Sequence, residues 1–314
     1  MPNTSSIVSL ADFALQLQVF FLFSNKFEIC LKIIEIEINI DSIGFLQKLE
    51  LEEKQMNLLY LFIALGATTL GSMAGLGGGV IIKPILDFLG DYNLSTISVL
   101  SSFTVFSMAI VSIIKQIRYK FKIEVRKTVL IGIGSIFGGL IGEKLVKFIL
   151  TLMQPITVTI IQNFVLATLL ILVYIYMNNK DKFKSYHIEN SLACIAIGLL
   201  LGAIASFLSI GGGPINVCVL TIFFSMNTKE AAVNSIITIL FSQASKLVTV
   251  ATSSGFSGFD LSMLPFMVVG GILGGIIGSR LNKLYSSETI LKVFNVVLIA
   301  LIILNFYNIL SVFI

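Results

Sequence analysis

Charge is scarce in this chain. Of 314 residues only 12% are charged while 56% are apolar, and a water-soluble domain of this size carries roughly twice that charge. Histidine is almost absent, with His187 in a charged loop standing alone. Cysteine is limited to Cys30, Cys194 and Cys218, with no paired spacing. A zinc centre or a histidine-based triad therefore lacks parts, and neither metal nor cofactor is expected. The Walker A pattern is missing, which excludes ATP hydrolysis on this chain. Beyond residue 55 acids sit in loops or at helix ends, with Asp87 and Glu143 nearest the interior of a span. Cation exchangers and proton pumps place carboxylates at mid-membrane, so the scarcity favours an anionic substrate.

What is abundant is uncharged length. Uninterrupted runs cover Gln55–Ile82, Tyr92–Ile114, Phe148–Asn179, Asn190–Thr228, Leu261–Ser279 and Val293–Ile314. About 20 apolar residues cross a bilayer as a helix, because the backbone must satisfy its own hydrogen bonds there. The pattern predicts an all-α integral membrane protein in a cell membrane, with the lipid bilayer as its solvent and no nucleic-acid partner. An oily soluble domain would have little left for its surface. Self-association is left open.

The first 55 residues differ in kind. They carry eight acidic and four basic side chains, whereas the remainder carries nine and seventeen. Phe13–Phe23 is apolar but too short to span, and it lacks the marks of a signal peptide. Glu28–Asp41 alternates apolar and polar residues. Two readings fit: a peripheral extension on the membrane surface, or translation starting at Met56, just before the first span. The second is preferred. The expected organisation is 1–55 as extension, 56–180 as a first transmembrane repeat and 181–314 as a second.

The repeat shows in two motif pairs. Ser72-Met-Ala-Gly-Leu-Gly77-Gly78-Gly79 matches Ser206-Phe-Leu-Ser-Ile-Gly211-Gly212-Gly213 at a separation of 134 residues. Gly138-Gly-Leu-Ile-Gly-Glu-Lys-Leu145 matches Gly274-Gly-Ile-Ile-Gly-Ser-Arg-Leu281 at 136. The expected helices are 57–76, a short piece 80–90, 94–115, 127–149, 156–178, 189–210, a short piece 214–226, 231–252, 261–281 and 289–312. The loop Lys115–Lys127 holds six basic residues and one acid, which the positive-inside rule assigns to the cytoplasm. Its counterpart, Ser253–Asp260, has no basic residue and is expected outside. Equivalent loops on opposite sides predict inverted-topology repeats, each with a glycine-broken re-entrant pair followed by spanning helices.

The triple glycines carry the chemistry in this reading. Each glycine costs roughly 1 kcal/mol in a helix interior relative to alanine. Irregular backbone at membrane depth is tolerated where protein or a cavity receives it. New helices are expected to begin at Val80 and Pro214, each presenting unpaired N–H groups at the positive end of its dipole. Two such ends near the midplane form an anion site. The alternative is that the glycines only allow close helix packing.

Polar residues around the breaks are Ser72, Ser206, Ser209 and Asn216. The following helices bring Ser101, Ser102 and Thr104, then Asn234, Ser235, Thr238 and Gln243. Any one of these hydroxyls has an ordinary alternative, a bond to its own helix backbone. Lys83 and Lys246 interrupt apolar helices, and an intramembrane cation is a functional hypothesis unless its stem carries it to the surface. The proposed substrate-binding set is Ser72, Gly77, Gly78, Gly79, Val80, Ser102, Ser206, Gly211, Gly212, Gly213, Asn216, Asn234 and Ser235, with Lys83 and Lys246 as charge contacts.

The block Gly71–Pro84, its partial copy at Ser206–Cys218, and the GGLIGEKL/GGIIGSRL pair together resemble the TauE/SafE family of sulfite exporter-like membrane proteins. The resemblance covers about residues 57–311. It implies secondary transport of a small sulfur-containing anion, such as sulfite or an organosulfonate, generally outward across a prokaryotic cytoplasmic membrane. The second copy departs from the pattern: Cys218 stands where the first has Pro84, and Pro214 follows the glycines directly. A membrane scaffold without transport activity is the competing expectation. An embedded enzyme lacks a nucleophile–base pair.

Overall fold

A computed structural model describes residues 54–120, 124–208, 210–253 and 255–311. The expectations for residues 1–53 and for Ser209 lie outside the described residues. Among the described residues ten α-helices follow one another: α1 Lys54–Ala74, α2 Gly79–Leu89, α3 Leu94–Arg118, α4 Val125–Leu152, α5 Pro155–Asn179, α6 Ser191–Phe207, α7 Gly213–Phe224, α8 Thr228–Ser253, α9 Leu264–Leu284 and α10 Ser287–Leu310. A 3₁₀ turn, Lys180–Lys182, precedes α6. No strand occurs among the described residues. The expected helices are all present, with ends shifted by up to three or so residues.

Local chemistry sets most of those ends. Asn93 caps α3 by accepting from the Thr96 amide at 2.8 Å, and Asn190 caps α6 through the Leu192 amide at 2.9 Å. Ser286 does the same for α10 through Thr289. Gly90 closes α2 in the left-handed conformation, and Pro155 opens α5 where its missing N–H is not needed.

Among the described residues seven helices are long and apolar enough to cross a membrane: α1, α3, α4, α5, α8, α9 and α10. The distribution of side chains is that of a protein solvated by lipid. Phe137, Phe148, Phe164, Leu172, Val296 and Ile303 are exposed, whereas Thr68, Ser72, Ser112, Gln162, Asn216 and Ser279 are buried. Apolar chains outside and polar chains inside suit hydrocarbon, where a buried hydroxyl or amide finds its partner only within the protein.

The helices pair across the halves. α1 lies along α9, and α6 lies along α4. The seams are glycine stripes. A Cβ added at Gly270 would stand 2.6 Å from the Leu61 carbonyl oxygen, at Gly274 2.7 Å from that of Leu65, and at Gly278 2.3 Å from that of Thr69. In the other seam, additions at Gly134, Gly138 and Gly142 would meet the carbonyls of Ile195, Leu199 and Ala203 at 2.1, 2.0 and 2.4 Å. Only glycine admits such backbone contact. The remaining partnerships are reciprocal too: α3 packs on α9 and α8 on α4, α2 on α10 and α7 on α5. One core serves both halves.

Each short helix returns to the end where its predecessor starts. Tyr60, early in α1, donates to Asp91 just past α2 at 2.6 Å, and its ring meets Tyr92 edge-on. In the second half, Tyr186 and Ile188, ahead of α6, donate backbone N–H groups to Ile222 and Phe223 at the end of α7, at 2.7 and 3.0 Å. The loops gather in two sets. Tyr92 touches Ser262, and Lys147 near the end of α4 donates to Ser253. In the other set, Lys229 donates to Tyr285 O, Lys283 lies over the Tyr119 ring, and Arg126 reaches Ser191.

Candidate functional site

The two breaks lie against each other at the centre of this arrangement. α2 and α7 begin at Gly79 and Gly213, one residue before the Val80 and Pro214 expected from sequence, because the last glycine of each triplet already takes helical geometry. The left-handed turns are made by Gly75 and Gly77 in the first break and by Gly211 and Gly212 in the second, with φ between +62° and +77°. Gly78 is right-handed, unlike its counterpart Gly212. A Cβ on Gly79 would come within 2.9 Å of Ile210 O, and one on Gly213 within 1.5 Å of Leu76 O. These are equivalent contacts read from the two sides, so each break is the other's neighbour.

One face of α8 runs along both. A Cβ on Gly75 would strike Ala232, on Gly77 Ile239, and on Gly211 the Gln243 amide nitrogen at 2.7 Å. Between them the Ser235 hydroxyl donates to Gly75 O at 2.7 Å and lies 3.5 Å from Gly213 O. Ala232, Ser235, Ile239, Gln243 and Lys246 recur at intervals of three or four, which is a helix face. From the first half Ser101 arrives, its hydroxyl 3.1 Å from a Cβ on Gly79. Two buried amides aim polar atoms here with no protein partner, Gln243 Oε1 and Asn216 Oδ1. The latter stands 3.0 Å from a Cβ on Gly212.

The structure thus brings together Gly77, Gly78, Gly79, Gly211, Gly212, Gly213, Asn216 and Ser235, with Val80 fully buried in the first turn of α2. Others among the residues proposed from sequence are engaged elsewhere. Ser72 bonds Ser112 at 2.7 Å, Ser279 at 3.1 Å and Gly275 O at 3.2 Å, tying α1 to α3 and α9. Its counterpart Ser206 lies against Gly139 and Gly142 of α4. Ser102 donates to Ser98 O of its own helix at 2.6 Å. Asn234 accepts from Thr128 at 2.7 Å and donates to Glu230 O, so it faces α4 and not the breaks.

The two intramembrane lysines do not snorkel. Lys83 is completely buried and Lys246 is 5% exposed. Their stems point into protein because α2 and the middle of α8 are enclosed by other helices. Lys83 Nζ donates to Gln162 Oε1 at 2.9 Å, and Gln162 Nε2 donates to Phe207 O at 2.7 Å. Lys246 donates to the Ser98 hydroxyl. Gln162 and its neighbour Asn163, fully buried with both amide atoms unpaired, were missed in the sequence. The available signal was two consecutive amides inside the otherwise apolar α5.

The sulfite exporter TauE/SafE family model matches residues 60–305, and the chain belongs to that family, a class of multi-pass membrane transporters. Among curated proteins it is similar to the "Probable membrane transporter protein YunE" of Bacillus subtilis (strain 168). The two are 23% identical over 262 residues, covering 77% of this chain and 94% of the relative. No solved structure matches.

Proposed function

We propose that the chain is a secondary transporter that moves a small sulfur-containing oxyanion, such as sulfite or an organosulfonate, by alternating access at the paired glycine breaks. The observation that carries this is the reciprocal contact of the breaks, with the N-terminal turns of α2 and α7 beginning beside one another. Unpaired amide N–H groups at those turns offer donors and positive potential to an anion without side-chain reorganisation. Ser235 fixes both breaks at once, and Asn216, Ser101 and Gln243 add polar groups. Export is the expected direction from the family.

The two halves are read as inverted repeats. α1 starts among the loops after α2, α4 and α8, whereas α6 starts among those after α3, α7 and α9. Equivalent helices then run in opposite directions, the relation by which a fixed site between two repeats opens to each side in turn. The basic loops at 119–127 and 180–189 gather on one side, which supports placing it in the cytoplasm.

The test is uptake into proteoliposomes of sulfite, sulfoacetate, thiosulfate and sulfate. Wild type is expected to move at least one. Gly212→Leu, which puts a branched side chain at a left-handed φ, is expected to abolish movement. Ser235→Ala leaves the buried Gly75 carbonyl without its donor and is expected to slow it by about tenfold or more. Failure of every anion would remove the substrate class, and unchanged rates in both variants would remove the site.

A further inference from the structure

Lys83 and Lys246 place two amines in the interior without the usual compensation. Among the described residues, neither has a carboxylate within 4.0 Å. Asp87 lies one turn along α2 from Lys83, and its Oδ2 is buried without a partner. Glu143, one turn before Lys147 on α4, lies 3.9 Å from that exposed ammonium. An ammonium has three donors, and each of these gives one to a neutral partner, Gln162 or Ser98.

Both lysines sit one turn from the breaks. Lys83 is four residues beyond Gly79, and Lys246 is three beyond Gln243, which touches Gly211. Ser98 and Ser101, three apart on α3, connect the two: one accepts from Lys246, the other lies against Gly79.

Resting on the transporter reading above, we propose that Lys83 and Lys246 form a split cation clamp, one arm from each half, whose substrate is a compact oxyanion carrying two negative charges. Two ammoniums serving one site in low dielectric call for two negative charges, and a monoanion leaves one of them uncompensated. A dianion with several oxygens around one centre satisfies both charges and takes the free N–H donors. Gln162 and Ser98 are positioning residues. Gln162, pinned to Phe207 O, holds the Lys83 head, and Ser98 holds that of Lys246.

The experiment compares uptake of radiolabelled sulfate and thiosulfate, dianions, with methanesulfonate, a monoanion of similar size, into proteoliposomes of the full chain at neutral pH. Wild type is expected to prefer the dianions by about tenfold or more. Lys83→Gln and Lys246→Gln should each lose that preference, and Lys83→Arg and Lys246→Arg should keep it, even with lower rates. Methanesulfonate carried by wild type as well as sulfate overturns the clamp and leaves the transporter reading standing. So does equal loss of all three anions in a glutamine variant that elutes as folded protein. Movement of none of the three by wild type overturns the clamp, and the transporter reading is then decided by sulfite and sulfoacetate in the assay above. Should a glutamine variant not fold, wild-type selectivity and the arginine variants decide the matter.

Discussion

A single methyl group separates the permitted from the forbidden at the centre of this molecule. At Gly213 it would stand 1.5 Å from the Leu76 carbonyl oxygen, well inside any allowed contact. The obstacle is backbone of the other break, which has no rotamer by which to yield. At Gly66, in the lipid-facing part of α1, nothing lies within 4 Å of an added Cβ. The two glycines therefore call for opposite results from the same substitution. Gly213→Ala should lower the thermal unfolding temperature in detergent and abolish transport, since overpacking of this kind costs about 1–3 kcal/mol or more. Gly66→Ala should be neutral or stabilising, by up to about 1 kcal/mol, from helix propensity. Equal behaviour of the two would show that the breaks are not in contact.

Helices show which parts of this fold the sequence announces. The long spans were legible because charge stops them: Lys115 and Arg118 end α3, and Lys180 follows α5. The re-entrant pieces were legible because three glycines followed by about eleven apolar residues cannot span. The partners of the glycine stripes were not legible. Gly138-Gly-Leu-Ile-Gly and its copy at Gly274 are plainly related, yet nothing in either names the helix it will touch. That depends on where α1 and α6 are placed by the rest of the core, and each turns out to lie in the opposite half. The same limit explains Ser72 and Asn234. Their types suit an oxyanion, but the rotation of each helix aims one at Ser112 and Ser279 and the other at Thr128. The seams make a paired prediction. Gly138→Leu must separate α4 from α6, and Gly274→Leu must separate α9 from α1, so both should destabilise to a similar degree. Thermal unfolding of the two variants side by side checks it, and a large difference would mean that the seams are not equivalent.

For the whole molecule, pairing across halves and charge across ends constrain one another. Repeats that exchange their first helices cannot rock as sealed units, since α1 is seated on the second half's α9 and α6 on the first half's α4. In the transport cycle proposed above, motion would leave those seams intact and occur elsewhere. The contact of α3 with α8 is the candidate, since it borders the breaks and carries Ser98, Ser101, Gln243 and Lys246. Such a device works only if the two mouths open to different compartments. The end formed by the start of α4 and of α6 is basic, and the end holding Ser253–Asp260 is not, so orientation follows from charge. Ser257 and Lys120 are both exposed and mark the two ends. In a chain with Cys30, Cys194 and Cys218 replaced, Ser257→Cys should react with a membrane-impermeant maleimide added to intact cells. Lys120→Cys should react only after the membrane is opened. The reverse pattern would invert the molecule in the bilayer, and labelling of both from outside would mean that the equivalent loops share a side, which removes the inverted relation on which the proposed alternating access rests.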